Sequence, residues 1–133
     1  MAMINHFSEL NVWKKSRLLS LQIFKLTKQE NFARDFKLRD QINGASGSTM
    51  DNIAEGFGRK SKFEFINFLS IAAGSNAEVQ SQLRRACDRE YVTEEKLNEL
   101  LNEAIEIDKM ISKFISYLNK SQEKGLKFKD REK

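Results

Sequence analysis

A chain of 133 residues without a single proline, and with only six glycines, has few places to break a helix and few of the tight turns that sandwiches and barrels require. It must fold mostly as long helices, and the spacing of its apolar residues shows where. Val12, Ser16, Leu19, Ile23 and Leu26 recur at alternating steps of four and three, which predicts a first helix over about residues 10 to 28. After a polar break from Gln29 to Arg34, the series Leu38, Ile42, Ala45, Thr49 and Ile53 predicts a second over about residues 36 to 55. Its middle, Gly44-Ala45-Ser46-Gly47-Ser48, has poor intrinsic helicity, since each glycine costs up to about 1 kcal/mol against alanine. The same small side chains would let a neighbouring helix come close.

The hinge of the chain is Asp51-Asn52-Ile53-Ala54-Glu55-Gly56-Phe57-Gly58-Arg59-Lys60-Ser61. Gly56 is predicted to sit just past the end of the second helix, in the left-handed conformation that costs glycine almost nothing, with Gly58 loosening the next step. Ser61 followed by Glu64 has the spacing of a capping box and starts a third helix, over about residues 62 to 90. Phe65, Leu69, Ala72, Val79, Leu83 and Ala86 form its core face. Phe63, Ile66, Phe68 and Ile71 leave it apolar on other sides too, and a helix of that kind must be covered all round. Those four residues are therefore the candidate interface with another copy of the chain. Thr93 caps a fourth helix, over about residues 94 to 119, with Glu94 and Glu95 in the first turn and Leu97, Leu100, Ala104, Ile107, Ile111, Phe114 and Leu118 at heptad spacing.

Residues 1 to 9 are read as a lead-in and residues 120 to 133, Lys-rich and without periodicity, as a flexible basic tail. The expected fold is all-α: an antiparallel up-down-up-down four-helix bundle over residues 10 to 119. No apolar run approaches the ~20 residues of a membrane span. Met1 to Phe7 has no export signature, and the lone Cys87 cannot form an intramolecular disulfide, so a cytoplasmic location is expected.

One histidine, His6, excludes a Glu-x-x-His di-iron bundle and a histidine-dependent nucleophilic triad within one chain. His6 reads as a solvated terminal residue and Cys87 as a small buried hydrophobe. Gly56-Phe57-Gly58-Arg59-Lys60-Ser61 lacks the Gly-Lys-Ser ending of a phosphate loop and follows a helix, not a strand. No catalysis, metal or cofactor is expected. Asn52, Glu55, Gly56, Gly58, Arg59, Glu64, Ser75 and Glu78 read as a structural polar network at the turn, with Arg59 paired to Glu55 or Glu78, and Asn52 and Ser75 satisfying backbone groups.

Charge is the feature that points to a partner. Residues 1 to 92 hold 14 basic and 10 acidic side chains, residues 93 to 118 hold 3 and 6, and residues 119 to 133 hold 6 and 3. Three basic clusters are candidate phosphate contacts: Lys14, Lys15 and Arg17; Arg59, Lys60 and Lys62; and Arg84, Arg85 and Arg89. The second begins a helix, where free amides also favour an anion. The competing reading is that all three are solvated faces.

The runs Glu9-Leu10-Asn11-Val12-Trp13-Lys14-Lys15, Leu38-Arg39-Asp40-Gln41-Ile42, Asp51 to Arg59, and Glu64-Phe65-Ile66-Asn67-Phe68-Leu69-Ser70-Ile71-Ala72-Ala73-Gly74-Ser75 with Glu78 resemble the 23S rRNA-intervening sequence protein family. The resemblance covers about residues 7 to 118. It implies a bacterial four-helix subunit assembled into a homopentameric ring, without catalysis, and in the retroelement-associated branch an accessory that binds nucleic acid and works with a reverse transcriptase. The chain departs from the family pattern where Asn43-Gly44 and Met50 stand in place of a basic residue and a proline. A net charge of +4 per chain would become about +20 over five copies and support salt-sensitive binding to RNA or DNA. The expected function is thus a non-enzymatic, RNA-associated accessory. The alternative is a protein-interaction scaffold whose acidic fourth helix engages a partner protein.

Overall fold

The computed structural model describes residues 3 to 121, and among these the elements are all helical. A single 3-10 turn, Phe7–Glu9, leads into α1 (Asn11–Thr27), α2 (Glu30–Arg34), α3 (Phe36–Gly58), α4 (Lys62–Asp88) and α5 (Glu94–Lys120). Contacts between the long helices run in opposite directions along the chain. Thr27 and Ser20 of α1 meet Asn43 and Ser46 of α3, and Gln41, Ser48 and Gly56 of α3 meet Arg85, Ser75 and Phe68 of α4. Phe65 and Asn76 of α4 in turn meet Phe114 and Ala104 of α5, and Lys15 of α1 pairs with Glu103 of α5. The result is an antiparallel bundle of four long helices with α2 as a fifth, short one. Its core is Leu10, Val12, Ile23, Leu38, Ile42, Ile53, Phe65, Leu69, Leu83, Leu100 and Ile107, all close to fully buried. The tail beyond Ser121 lies outside the described residues.

The polar break between the first two predicted helices contains α2. Its signal is a single apolar side chain, Phe32, which is 1% exposed and stacks on Tyr91 with ring centroids 5.2 Å apart. That partner is too distant in sequence for local periodicity to register. Asp35 then caps α3, accepting from the Leu38 amide at 3.2 Å, and its other oxygen accepts from Arg89 and from the Tyr91 hydroxyl, each at 2.8 Å. The Tyr91 hydroxyl, the Leu38 amide and Arg89 together hold the Asp35 carboxyl below its ordinary range, and Asp35 in turn pushes the Tyr91 phenol up.

The hinge corrects the sequence reading. α3 does not stop at Gly56 but continues to Gly58, because Phe57 is buried and packs edge-on against Phe65 at 5.9 Å, which favours another half-turn of helix. The left-handed residue of the hinge is Lys60, at φ 56°, and no described glycine has positive φ. Gly56 is needed for space instead: a Cβ there would lie 2.6 Å from Phe68 Cβ and 3.0 Å from Phe65 Cδ1. At Gly44 and Gly47 a Cβ would meet nothing within 4 Å, so neither of these glycines is needed for space as Gly56 is.

Ser61 caps α4 through the Glu64 amide at 3.4 Å, while the Glu64 carboxylate turns to Arg59 at 3.6 Å. The fully buried Asn76 donates to the Ala104 carbonyl at 2.7 Å and to Asp108 at 2.8 Å, tying α4 to α5. His6 is exposed but not idle. Its Nδ1 accepts from the Ser8 amide at 3.2 Å and Glu9 reaches back to its backbone N–H at 2.9 Å, which caps the 3-10 turn.

Candidate nucleic-acid interface

Residues 11 to 41 contain eight basic and three acidic side chains, a surplus of five against a surplus of four for the whole chain. That segment is α1, α2 and the start of α3. Three of its cations are engaged: Lys15 with Glu103 at 3.2 Å, Arg34 with Glu30 at 3.2 Å, and Arg39 with Asp40 at 3.1 Å. Lys14, Arg17, Lys25, Lys28 and Lys37 are exposed and, among the described residues, pair with no carboxylate. Arg17 lies over the Trp13 ring at 5.6 Å and Lys28 over the Phe24 ring at 4.5 Å, so both are held by aromatic faces and not by carboxylates.

Three of these, Lys14, Arg17 and Lys28, border a groove of about 1330 Å³ between α1 and α3. Lys14, Arg17, Lys28 and Arg39 stand around it, and Leu18, Leu21, Phe24 and Met50 supply its apolar surface. Leu18 is 59% exposed, Leu21 47% and Phe24 46%. Positions 14, 17, 18, 21, 24 and 28 follow one another at steps of three, one, three, three and four, so α1 carries a second stripe beside its core stripe. This stripe was visible in the sequence as helical spacing, yet the buried series through Leu19 and Ile23 hid it. Lys14 and Leu18 also border a smaller groove of about 350 Å³ against α5.

In the other two sequence clusters four of the six cations are engaged. Arg59 donates to Glu55 at 2.7 Å, lies 3.6 Å from Glu64 and covers the Phe68 ring at 5.0 Å. The Glu55 hydrogen bond raises its already high pKa further. Lys62 donates to the Ser121 carbonyl at 2.7 Å, leaving Lys60 as the open cation of the three. Arg85 donates to Gln41 at 3.1 Å and Arg89 to Asp35 at 2.8 Å, while Arg84 is exposed.

The predicted polar network separates in the same way. Asn52 donates to the Ser48 carbonyl at 2.8 Å and its hydroxyl at 3.0 Å, and that hydroxyl lies 3.0 Å from Ser75 Oγ, forming a chain across the α3–α4 seam. Ser48 is the member that sequence reasoning missed. Glu55, Arg59 and Glu64 form a separate exposed group at the turn, and Glu78 is exposed and joins neither. Of the candidate interface residues, Phe63 is 74% exposed and Ile71 45%, whereas Ile66 packs partly against the core and Phe68 lies under Arg59. Cys87 is half-buried, not fully buried as its sequence context suggested.

Among the described residues no group of three or more His, Cys, Asp or Glu could hold a metal ion, and no helix is long and apolar enough to cross a membrane. The arrangement defines a helical-bundle protein with one cation-rich, groove-bearing side. The chain belongs to the 23S rRNA-intervening sequence protein family, which is matched over residues 8–113. Among solved structures it resembles a protein of unknown function from the S23 ribosomal protein family of Bacteroides thetaiotaomicron, with a TM-score of 0.71 and 29% identity, over 78% of this chain and 97% of that one. No curated protein matches it.

Proposed function

We propose that this protein is a non-enzymatic accessory that assembles with copies of itself and binds nucleic acid, RNA foremost, through the outer side of α1 and the start of α3. The surplus of five positive charges in residues 11 to 41, with five exposed cations that pair with no carboxylate among the described residues, carries this reading. Phosphate neutralisation by such cations is sequence-tolerant and releases counterions, so binding weakens with salt. The homopentameric ring implied by the family resemblance would repeat the surface five times, and cooperation with a reverse transcriptase or another protein would place it in a cytoplasmic ribonucleoprotein. The exposed Phe63 and Ile71 on α4 support a copy-to-copy contact there.

The test is fluorescence anisotropy with a structured RNA and a duplex DNA, on protein whose mass has been fixed by light scattering. If about three cations reach phosphates, affinity falls about 40-fold between 50 and 200 mM salt. Absence of binding to either polymer at the lower salt, by an assembled oligomer, contradicts the reading.

A further inference from the structure

Phosphates explain the cations around the α1–α3 groove but not the surface between them. Leu18, Leu21 and Phe24 each expose close to half or more of their surface, and unlike the exposed Phe36 and Phe63 they line one groove together. Leaving such side chains in water opposes the tendency that built the core, and a contiguous apolar strip inside a polar border marks a protein contact. Unpaired bases would be the nucleic-acid alternative, since they stack on aromatic faces. The groove offers them little: three of its four main apolar residues, Leu18, Leu21 and Met50, have no π-face, and Lys28 Nζ already lies 4.5 Å from the centre of the Phe24 ring.

We infer that the α1–α3 groove docks an acidic amphipathic helix of a partner protein. The strip from Lys14 to Lys28 runs along about four turns of α1, roughly 21 Å at 1.5 Å per residue, which matches a helix of about 14 residues laid alongside it. Apolar anchors at i, i+3 or i+4, and i+7 would enter against Leu18, Leu21, Phe24 and Met50. Carboxylates on the flanks would face Lys14, Arg17, Lys28 and Arg39, against which the groove sets the single carboxylate of Asp40. The charge pattern thus selects an acidic helix and disfavours a basic one. The docked helix and a polynucleotide would draw on the same cations, but only the helix needs the apolar floor.

That difference defines the experiment. The probe is a synthetic 16-residue amphipathic peptide with Leu at positions spaced i, i+3, i+4 and i+7 and Glu on the flanks, with a scrambled peptide of equal composition as control. Anisotropy titrations use the full-length protein, the Leu21→Ser/Phe24→Ser variant and the Lys14→Ala/Arg17→Ala variant, and both pairs lie on the exposed side of α1. The inference expects the amphipathic peptide to bind and the scrambled one not to. It expects at least a tenfold loss for each variant, with RNA affinity lowered only by the lysine-arginine pair. Binding that the floor variant leaves unchanged, or no binding at about 50 mM salt, overturns it. A floor variant that loses RNA affinity as well would assign the strip to unpaired bases, and one whose oligomeric mass falls would assign it to a second copy; either overturns the inference. Failure of peptide binding with RNA binding intact leaves the proposed nucleic-acid role standing, and the converse result separates them in the other direction.

Discussion

The two seams that α3 makes with its neighbours are built on different terms. Against α4 it closes tightly: Gly56 lets the Phe68 Cβ in, the Asn52, Ser48 and Ser75 side chains form a hydrogen-bonded chain, and Arg85 of α4 and Arg89 just after it are held by Gln41 of α3 and by Asp35, which caps α3. Against α1 it leaves a groove of about 1330 Å³ with apolar side chains in it and cations around it. Where two helices approach closely, polar and charged groups satisfy one another and little chemistry is left for a partner. Where they stand apart, both the charge and the apolar surface remain outward. The contrast is what supports the function proposed for the α1 side.

The sharpest way to break the contrast is Gly56→Ala. A methyl 2.6 Å from Phe68 Cβ has no room, and overpacking should exceed the gain in helix propensity, for a net loss of about 2 kcal/mol. Thermal unfolding at fixed protein concentration should show a Tm lower by about 6 to 10 °C. A Tm equal to that of the wild type would mean that the α3–α4 seam is not closed at Gly56. Ser75→Ala, which leaves the Ser48 hydroxyl without its cross-seam partner, should cost about 1 kcal/mol by urea denaturation. Ser20→Ala, at the looser 3.3 Å contact with Ser46 in the open seam, should cost less than about 0.5 kcal/mol. Equal costs would erase the distinction. Gly47→Ala meets open space within the same helix and should reverse the sign, stabilising by about 0.5 to 1 kcal/mol.

Asp35 sharpens the comparison at the far end of the closed seam. Its folded-state carboxyl titrates below the ordinary value of 3.8, held there by Tyr91, the Leu38 amide and Arg89, so the stability it contributes is present above that value and disappears as pH falls through the depressed one. Asp35→Asn retains a capping side chain but loses the charge. The variant should be less stable at neutral pH and show a shallower decline below about pH 4 than the wild type, read as urea midpoints across the acid range. Parallel declines would remove Asp35 from the seam's energetics.

What the sequence made legible follows from how local each signal is. The four long helices were readable because their core residues repeat within one element, and Thr93 and Ser61 mark helix starts by side chains that act within three residues. α2 was not readable, because Phe32 is buried by Tyr91 from a remote part of the chain. Gly56 is legible as a critical position, but its place inside α3 and its reason are not, since a sequence does not distinguish a glycine needed for positive φ from one needed for space. The basic clusters show the same limit more strongly. Neighbours in sequence such as Arg84, Arg85 and Arg89 have different fates, because the carboxylate or amide that engages each comes from another helix. The α1 stripe was present as spacing all along, but only the packing reveals which of two apolar stripes the core leaves uncovered.

On the function proposed above, the open α1–α3 side, not the closed α3–α4 side, meets nucleic acid. The most direct test compares two variants of equal charge loss, Lys14→Ala/Arg17→Ala on α1 and Lys60→Ala/Arg84→Ala on the α4 side, for affinity to one structured RNA at about 100 mM salt, with oligomeric mass checked in both. The account predicts about a tenfold loss and a salt slope reduced by about two for the α1 pair, and less than about a twofold loss for the α4 pair. Equal losses, or a larger one for the α4 pair, would contradict it.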